Sequence, residues 1–262
     1  METIEEQHYI DLVADSEQVN IPPGGRDTIK QWIREGFVSE SSDVLEMGCN
    51  TGYISYHLSN YTDANVTGVD LSPDTIQSAQ QYTEGDDRTS FECGDAADLD
   101  FNDGSFSHVV IGGHLPWVQS PARPDHIDEA IRLVEDDGFL LVALYYYDEQ
   151  PPTPLVDTFN KEFDTELDPE HDYDYWTSLF TDLTLSQEYE ANFDVSAPSE
   201  DRKRKYVEGN IGTNKNEWET KIDLLAKNAE YISFFVKVFR KVGNEHYREY
   251  PPGGIYQTEE KN

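Results

Sequence analysis

The chain has little cysteine, the residue whose disulfides stabilise many secreted proteins, and it lacks the long apolar runs of membrane proteins. It has only two cysteines in 262 residues. Two thiols cannot form a cysteine-rich zinc site, and we expect no metal. No apolar run approaches the length that spans a bilayer, so we expect no membrane partner. The first residues lack a basic stretch followed by an apolar one, which predicts no signal peptide and a cytoplasmic location.

Basic residues are also scarce. Nineteen Lys and Arg stand against fifty-three Asp and Glu, which gives a net charge of −34. Nucleic acid requires a basic surface, so we expect no nucleic-acid partner. The basic cluster Arg202 to Lys205 is either a solvated segment or a contact for an anionic substrate. The acids are spread along the chain, and such a charge density repels itself unless salt screens it. We therefore infer a halophilic setting.

A glycine turn between two predicted strands carries most of the functional information. Val44 to Met47 is a strand-like segment that contains Glu46 and leads through Gly48-Cys49-Asn50-Thr51-Gly52 into a helix-forming segment. A strand, a small-residue turn and a helix start together cradle a nucleotide, because the backbone can approach the ligand closely. Val66 to Asp70 is a second short strand, and its terminal acid is placed to hold ribose hydroxyls. The alternative is an ordinary glycine turn, with Asp70 a surface acid.

Later segments continue this pattern in order. They are a third strand with its turn (Phe91 to Ala96, then Asp98 to Phe106), a fourth strand with a glycine loop (His108 to Leu115), and a helix, turn and fifth strand (Glu129 to Val142). With the glycine turn they resemble the class I S-adenosylmethionine (SAM)-dependent methyltransferases over about Val44 to Tyr147. The chain departs from the family at Asn50, where glycine is frequent. Asparagine tolerates a positive φ, so the turn is expected to survive.

The resemblance implies an α/β fold: a Rossmann-like, seven-stranded, mostly parallel sheet with helices on both faces and an antiparallel last strand. N-terminal helices and a helical cap insertion would be added to it. The cofactor would be SAM and the product S-adenosylhomocysteine. The cofactor-binding residues that it implies are Glu46, Gly48, Cys49, Asn50, Gly52, Asp70, Leu71, Asp95, Ala96, Gly112 and Gly113.

The family also implies a role for each part of this set. The glycine turn would line the methionine end of the cofactor, and Glu46 would orient the loop or meet the amino group. Asp70 would accept from the ribose hydroxyls, and Leu71 would lie against the adenine. Asp95 would accept from the adenine amine, with a turn-forming Asx role as the alternative.

One residue is a candidate for catalysis and four are candidates for substrate contact. His114 would reach an acceptor as a general base, since histidine titrates near neutrality; the alternative is a hydrogen bond to a carbonyl that stiffens its loop. The substrate candidates are Tyr9, Arg26, Trp117 and Tyr146, each with a packing or surface role as the alternative. Arg26 is one of few cations near the predicted lid, where it would meet a carboxylate.

The predicted division of the chain is an N-terminal helical lid (1–40), a SAM-binding core (41–147), an aromatic helical cap (148–182), the C-terminal part of the core sheet (183–245) and a tail (246–262). The function expected is in-line methyl transfer to a small-molecule acceptor, and a homodimer is one assembly that the sequence allows. Alternatives are a non-catalytic SAM-fold binding or regulatory protein and a methyltransferase of protein or nucleic acid. An NAD-dependent dehydrogenase would have Gly-x-Gly-x-x-Gly where this chain has Gly-Cys-Asn-Thr-Gly-Tyr.

The halophilic inference predicts a salt-dependent stability. The melting temperature should rise between low ionic strength and molar KCl, because added ions screen the repulsion among the fifty-three acids. Circular dichroism melts over a KCl series would measure this. A melting temperature that stays level or falls with salt would contradict the inference.

Overall fold

The computed structural model describes residues 21–195 and 215–243. Its helices are α1 Gly25–Glu35, α2 Tyr53–Thr62, α3 Pro73–Tyr82, α4 Arg123–Leu133, α5 Thr153–Phe163, α6 Tyr173–Ser178 and α7 Lys215–Asn228. Its strands are β1 Asp43–Met47, β2 Asn65–Asp70, β3 Thr89–Cys93, β4 Phe106–Ile111, β5 Val134–Tyr147, β6 Leu185–Asp194 and β7 Ile232–Lys241. Tyr9 and the basic cluster Arg202 to Lys205 lie outside the described residues.

The seven strands form one sheet in the order β3-β2-β1-β4-β5-β7-β6. The first five pair in parallel, whereas β7 runs antiparallel to both β5 and β6. The predicted mixed sheet with an antiparallel last strand is therefore confirmed. Strand order reverses between β1 and β4, and in open α/β sheets ligands bind beyond the carboxyl ends of the strands at such a point.

Apolar side chains cover both faces of the sheet, which explains why its central strands are almost continuously apolar. On one face, α1 and α2 pack through Ile29, Trp32 and Ile54, none of which is exposed. The indole of Trp32 also donates to the carbonyl of Val142 (3.3 Å), so the helix is hydrogen-bonded to β5 as well as packed on it. On the other face, α4 and the aromatic residues of the 148–182 segment complete the core, as with Trp176.

A buried arginine joins the loop after β4 to the helical segment that was predicted as a cap. Arg123 is fully buried, and its guanidinium donates to the carbonyls of Leu115 (3.1 Å), Val118 (3.0 Å) and Glu166 (2.7 Å). It also donates to the ring of His171 and to the hydroxyl of Tyr175 (2.7 Å). One side chain thus fixes the loop that borders the predicted active site. No helix in the described parts of the chain is long and apolar enough to cross a membrane.

Replacing this arginine should destabilise the protein strongly. Arg123→Met keeps much of the side-chain volume but removes the donor to the carbonyls of Leu115, Val118 and Glu166, and we expect a loss of about 3 kcal/mol in the free energy of unfolding. Arg34→Met is the control, because Arg34 is exposed and pairs only with its neighbour Glu35; there we expect less than about 0.5 kcal/mol. Urea denaturation at fixed KCl measures both, and equal effects would show that the Arg123 contacts contribute little.

Candidate active site

The turn after β1 needs residues that accept left-handed backbone. Gly48, Asn50 and Gly52 have φ of 70°, 46° and 81°, so the expected tolerance of Asn50 for positive φ is confirmed. The two glycines also lack room for a side chain. A Cβ on Gly48 would lie 2.5 Å from the Cβ of His114, and one on Gly52 would lie 2.9 Å from the ring of Phe91. The backbone of this turn is therefore held close to its neighbours on two sides.

The carboxylate of Asp70 holds this turn against the end of β2. One oxygen accepts from the backbone N–H of Asn50 (2.9 Å), and the other accepts from the N–H of Ser72 (3.0 Å) and the hydroxyl of Thr75 (2.9 Å). Each carboxylate oxygen has two lone pairs, so the oxygen facing Asn50 retains acceptor capacity for a ribose hydroxyl. The sequence predicted the position of Asp70 at the strand end but not that it would hold the turn.

Glu46 lies beneath the same turn and is fully buried. Its Oε2 accepts from the backbone N–H (2.8 Å) and the hydroxyl (2.5 Å) of Ser55 in α2. These contacts agree with a role for Glu46 in orienting the glycine turn. Its Oε1 has no hydrogen-bond partner among the described residues. Burial raises the pKa of this carboxyl to about 8, and the nearby charge of Asp70 adds to the rise.

The adenine side of the predicted site lies at the ends of β2 and β3. Leu71 is 72% exposed and presents an apolar surface, while the Oδ1 of Asp95 accepts from the N–H of Ala97 (3.0 Å). This is the Asx contact named above, and it leaves the second oxygen of Asp95 to accept from a ligand. Ala96 is buried beside it.

The two cysteines are both free thiols. Cys49 is buried in the glycine turn, and its N–H donates to the carbonyl of Val69 (2.9 Å). Burial raises the pKa of its thiol well above the usual range, with the charges of Glu46 and Asp70 adding to the rise. Cys93 is exposed, and the two thiols form no disulfide.

His114 lies against Gly48 in the loop after β4, beside a second histidine. Its ring nitrogens are shielded from solvent and make no hydrogen bond of good geometry to the described residues, but the backbone of Met47 lies close enough to act on the ring and opposes the fall in its pKa. Burial lowers its pKa to about 3, and the neighbouring ring of His126 lowers it further. The ring of His126, on α4, lies 5.4 Å from that of His114 between centroids. The sequence offered no motif around His126 that would have identified it.

The candidates for substrate contact are dispersed. Trp117 is 55% exposed, and its indole donates to the carbonyl of Phe163 (3.2 Å), which places it between the β4 loop and α5. Tyr146 packs against the ring of Tyr173 in the cap segment and against the ring of Phe235 in β7. Arg26 lies at the start of α1. In the part of the chain that the structure covers, no group of three or more His, Cys, Asp or Glu is arranged to hold a metal ion.

The raised pKa of Glu46 predicts a pH-dependent stability. Its pKa is higher in the folded protein than in the unfolded chain, so the stability that it contributes is fully present below about pH 4.5 and is lost as the pH rises toward about 8. Glu46→Gln is neutral throughout, so its stability relative to the parent should increase from pH 5 to pH 8. Urea denaturation at several pH values would measure this difference. The exposed variant Glu40→Gln is the control, and a pH-independent difference for Glu46→Gln would contradict the assignment.

Comparison with known proteins agrees with the fold and with the order of the motifs. Residues 44–138 match the family model described as a methyltransferase domain. The chain is 31% identical over 147 residues to 2-methyl-6-phytyl-1,4-hydroquinone methyltransferase of Synechocystis sp., which covers 51% of this chain and 45% of that protein. It is 32% identical over 113 residues to demethylmenaquinone methyltransferase of Clavibacter sepedonicus, which covers 43% and 44%. The chain therefore spans less than half the length of these two relatives.

Among solved structures, the crystal structure of MccD protein is similar to this fold, with a TM-score of 0.74 at 24% identity over 85% of this chain and 99% of that one. The matched domain contains the glycine turn, Asp70, Asp95 and the His114 loop, in the arrangement described above. Residues 44–138 are therefore similar to a methyltransferase domain, and the fold around them is that of the MccD structure.

Proposed function

We propose that the protein transfers a methyl group from SAM to a small-molecule acceptor. The observation that carries the proposal is the fit of the cradle to SAM. Asp70 supplies a carboxylate acceptor for a vicinal diol, Leu71 an exposed apolar surface for the face of a base, and Asp95 a carboxylate oxygen for an exocyclic amine. The two relatives compared above are named as methyltransferases of 2-methyl-6-phytyl-1,4-hydroquinone and of demethylmenaquinone, which supports a small molecule as the acceptor class.

The residues of this chain would act mainly by positioning the cofactor and the methyl acceptor. When bound, SAM supplies an electrophilic methyl group whose leaving group is a neutral thioether, so no acid is required at sulfur. Gly48 and Asn50 would give backbone access to the methionine end, and Gly112 and Gly113 would lie on its other side. The buried Ile54 and Leu115 adjoin this loop and exclude water. Holding the acceptor in line and dry supplies most of the catalysis that such a displacement needs.

His114 is the candidate that would handle a proton. Its low pKa keeps the ring neutral at physiological pH but also makes it a weak base unless bound ligands raise that pKa. As a general base it would take the proton of an O–H or N–H acceptor as the new bond to carbon forms. A carbon acceptor that is already nucleophilic would leave His114 only a positioning role.

The acidity of the chain favours a small acceptor over nucleic acid or a polyanionic polymer. The same acidity supports the proposed halophilic setting. We also propose a cytoplasmic location and a homodimer. The main alternative is a SAM-binding protein that transfers no methyl group. Formation of S-adenosylhomocysteine in a screen of small-molecule acceptors, with protein and nucleic-acid acceptors included, distinguishes these functions.

Loss of the Asp70 carboxylate should weaken cofactor binding. Asp70→Ala removes both the ribose acceptor and the link to the turn, and we expect the Kd for SAM to rise at least about 10- to 100-fold. Calorimetric titration with SAM measures it, with a thermal melt to establish that the variant is folded. Asp74→Ala, an exposed acid four residues later in α3, is the matched control and should bind as the parent does. An absence of SAM binding by the parent protein would overturn the proposed function.

A further inference from the structure

A cavity of about 420 Å³ lies between the loop after β4 and the cap segment. Ser120 lines it from the loop, whereas Glu166, Asp168, His171 and Tyr175 line it from the cap segment. None of its lining residues is among those expected to hold SAM. Pockets that bind small molecules have volumes of about 300–1,000 Å³, so this cavity has the size of a ligand site outside the cofactor cradle.

The two walls of the cavity are hydrogen-bonded to the rest of the fold. The N–H of Glu166 donates to the carbonyl of Pro116 (3.2 Å), and the carbonyl of Glu166 accepts from Arg123 (2.7 Å). Further along the segment, the N–H of Tyr147 at the end of β5 donates to the carbonyl of His171 (3.0 Å). A ligand would therefore meet walls that are already positioned, which reduces the entropy cost of binding.

His171, on the buried side of the cavity, carries a proton that lacks an acceptor. It is 6% exposed, and burial together with the charge of Arg123 lowers its pKa to about 4, so the ring is neutral. Arg123 donates to Nε2 (3.2 Å), which leaves the ring proton on Nδ1. The N–H of Asp168, 3.0 Å from Nδ1, is also a donor. Two donors thus face each other, and an oxygen atom from a ligand would supply the acceptor that both need.

Tyr175 adds another donor and an aromatic surface. Its hydroxyl oxygen accepts from Arg123 (2.7 Å), and its own O–H is left without an acceptor among the described residues. Its ring stacks on that of His171, with 4.1 Å between centroids. Tyr175 is only partly buried, so it offers both an apolar ring and a hydroxyl to a molecule in the cavity that it lines.

The solvent side of the cavity has the opposite character. Glu166, Asp168 and Glu170 are exposed and line it with carboxylates, which accept hydrogen bonds but do not donate them. These carboxylates would repel an anion, and the buried guanidinium of Arg123 would oppose a cation at the inner wall. A hydroxyl group both donates and accepts. A neutral molecule with several hydroxyls therefore matches the inner donors and the outer acceptors together.

We propose that this cavity binds a neutral polyhydroxyl ligand of the sugar type. Its hydroxyls would donate to the carboxylates of Glu166 and Glu170 and accept from His171 and Tyr175. The bonds to the carboxylates are charge-assisted and would contribute most of the polar binding energy. This site goes beyond methyl transfer and does not depend on it, because it shares no residue with the cofactor cradle.

Direct binding in the absence of SAM tests the proposal. Calorimetry and saturation-transfer NMR would titrate three neutral probes (glucose, trehalose and myo-inositol), the dication putrescine and the anion citrate into the parent at fixed molar KCl. The double variant Glu166→Ala/Glu170→Ala removes two acceptors at exposed positions, and Tyr175→Phe removes one hydroxyl but keeps the ring. Asp157→Ala is the matched control, because Asp157 is an exposed acid of α5 that does not line the cavity. A thermal melt establishes that each variant is folded.

We expect at least one neutral probe to bind the parent and Asp157→Ala equally. The double variant should weaken that binding at least about 10-fold, and Tyr175→Phe about 3- to 10-fold, because hydrogen bonds to charged acceptors are the stronger ones. The proposal is overturned if no neutral probe binds the parent, if the double variant binds as the parent does, or if putrescine or citrate binds in preference to the neutral probes. None of these results alters the proposed function, which the binding of SAM tests separately.

Discussion

The carboxylate of Asp70 is the interaction on which the cradle depends. It accepts from the N–H of Asn50 in the glycine turn, from the N–H of Ser72 just beyond β2, and from the hydroxyl of Thr75 in the first turn of α3. The turn itself is conformationally unfavourable, with an asparagine and two glycines in left-handed backbone. A charge-assisted bond from Asp70 to the N–H of Asn50 offsets part of that cost and fixes where the turn lies. The same carboxylate is placed for a ribose, so ligand binding and loop geometry are coupled through one side chain.

Around Asp70 the protein buries polar groups of a kind that are rare in a core with only a structural role. Glu46 is buried under the turn with one oxygen unpartnered, and His114 lies above the turn with both ring nitrogens unpartnered in the described residues. Arg123, by contrast, is buried with its donors satisfied by carbonyls, a phenol and an imidazole. The contrast separates two uses of a buried polar group. Arg123 fixes the loop after β4, whereas Glu46 and His114 place ionisable groups out of solvent beside the glycine turn.

Much of the fold was predictable because its signals are local. Alternating strands and helices, Pro73 at a helix start and the spacing from Glu46 to Asp70 each follow from short-range rules, and the sheet order follows from the resemblance. The φ of Asn50 was predictable for the same reason. The contacts across the fold were not. His126 comes to lie beside His114, and Arg123 reaches the segment near His171, only after α4 and the cap segment pack against the β4 loop. No sequence spacing encodes those distances.

The central claim is that the glycine turn, Asp70 and Asp95 together hold SAM, with its sulfur facing the loop of Gly112 to His114. A crystal structure with S-adenosylhomocysteine tests it most directly. We expect ribose hydroxyls on Asp70, the adenine against Leu71 with its amine on Asp95, and the methionine chain over Gly48. The cavity facing the sulfur would then bound the size and charge of the acceptor. A nucleoside bound away from Asp70, or a sulfur directed away from the His114 loop, would contradict the account.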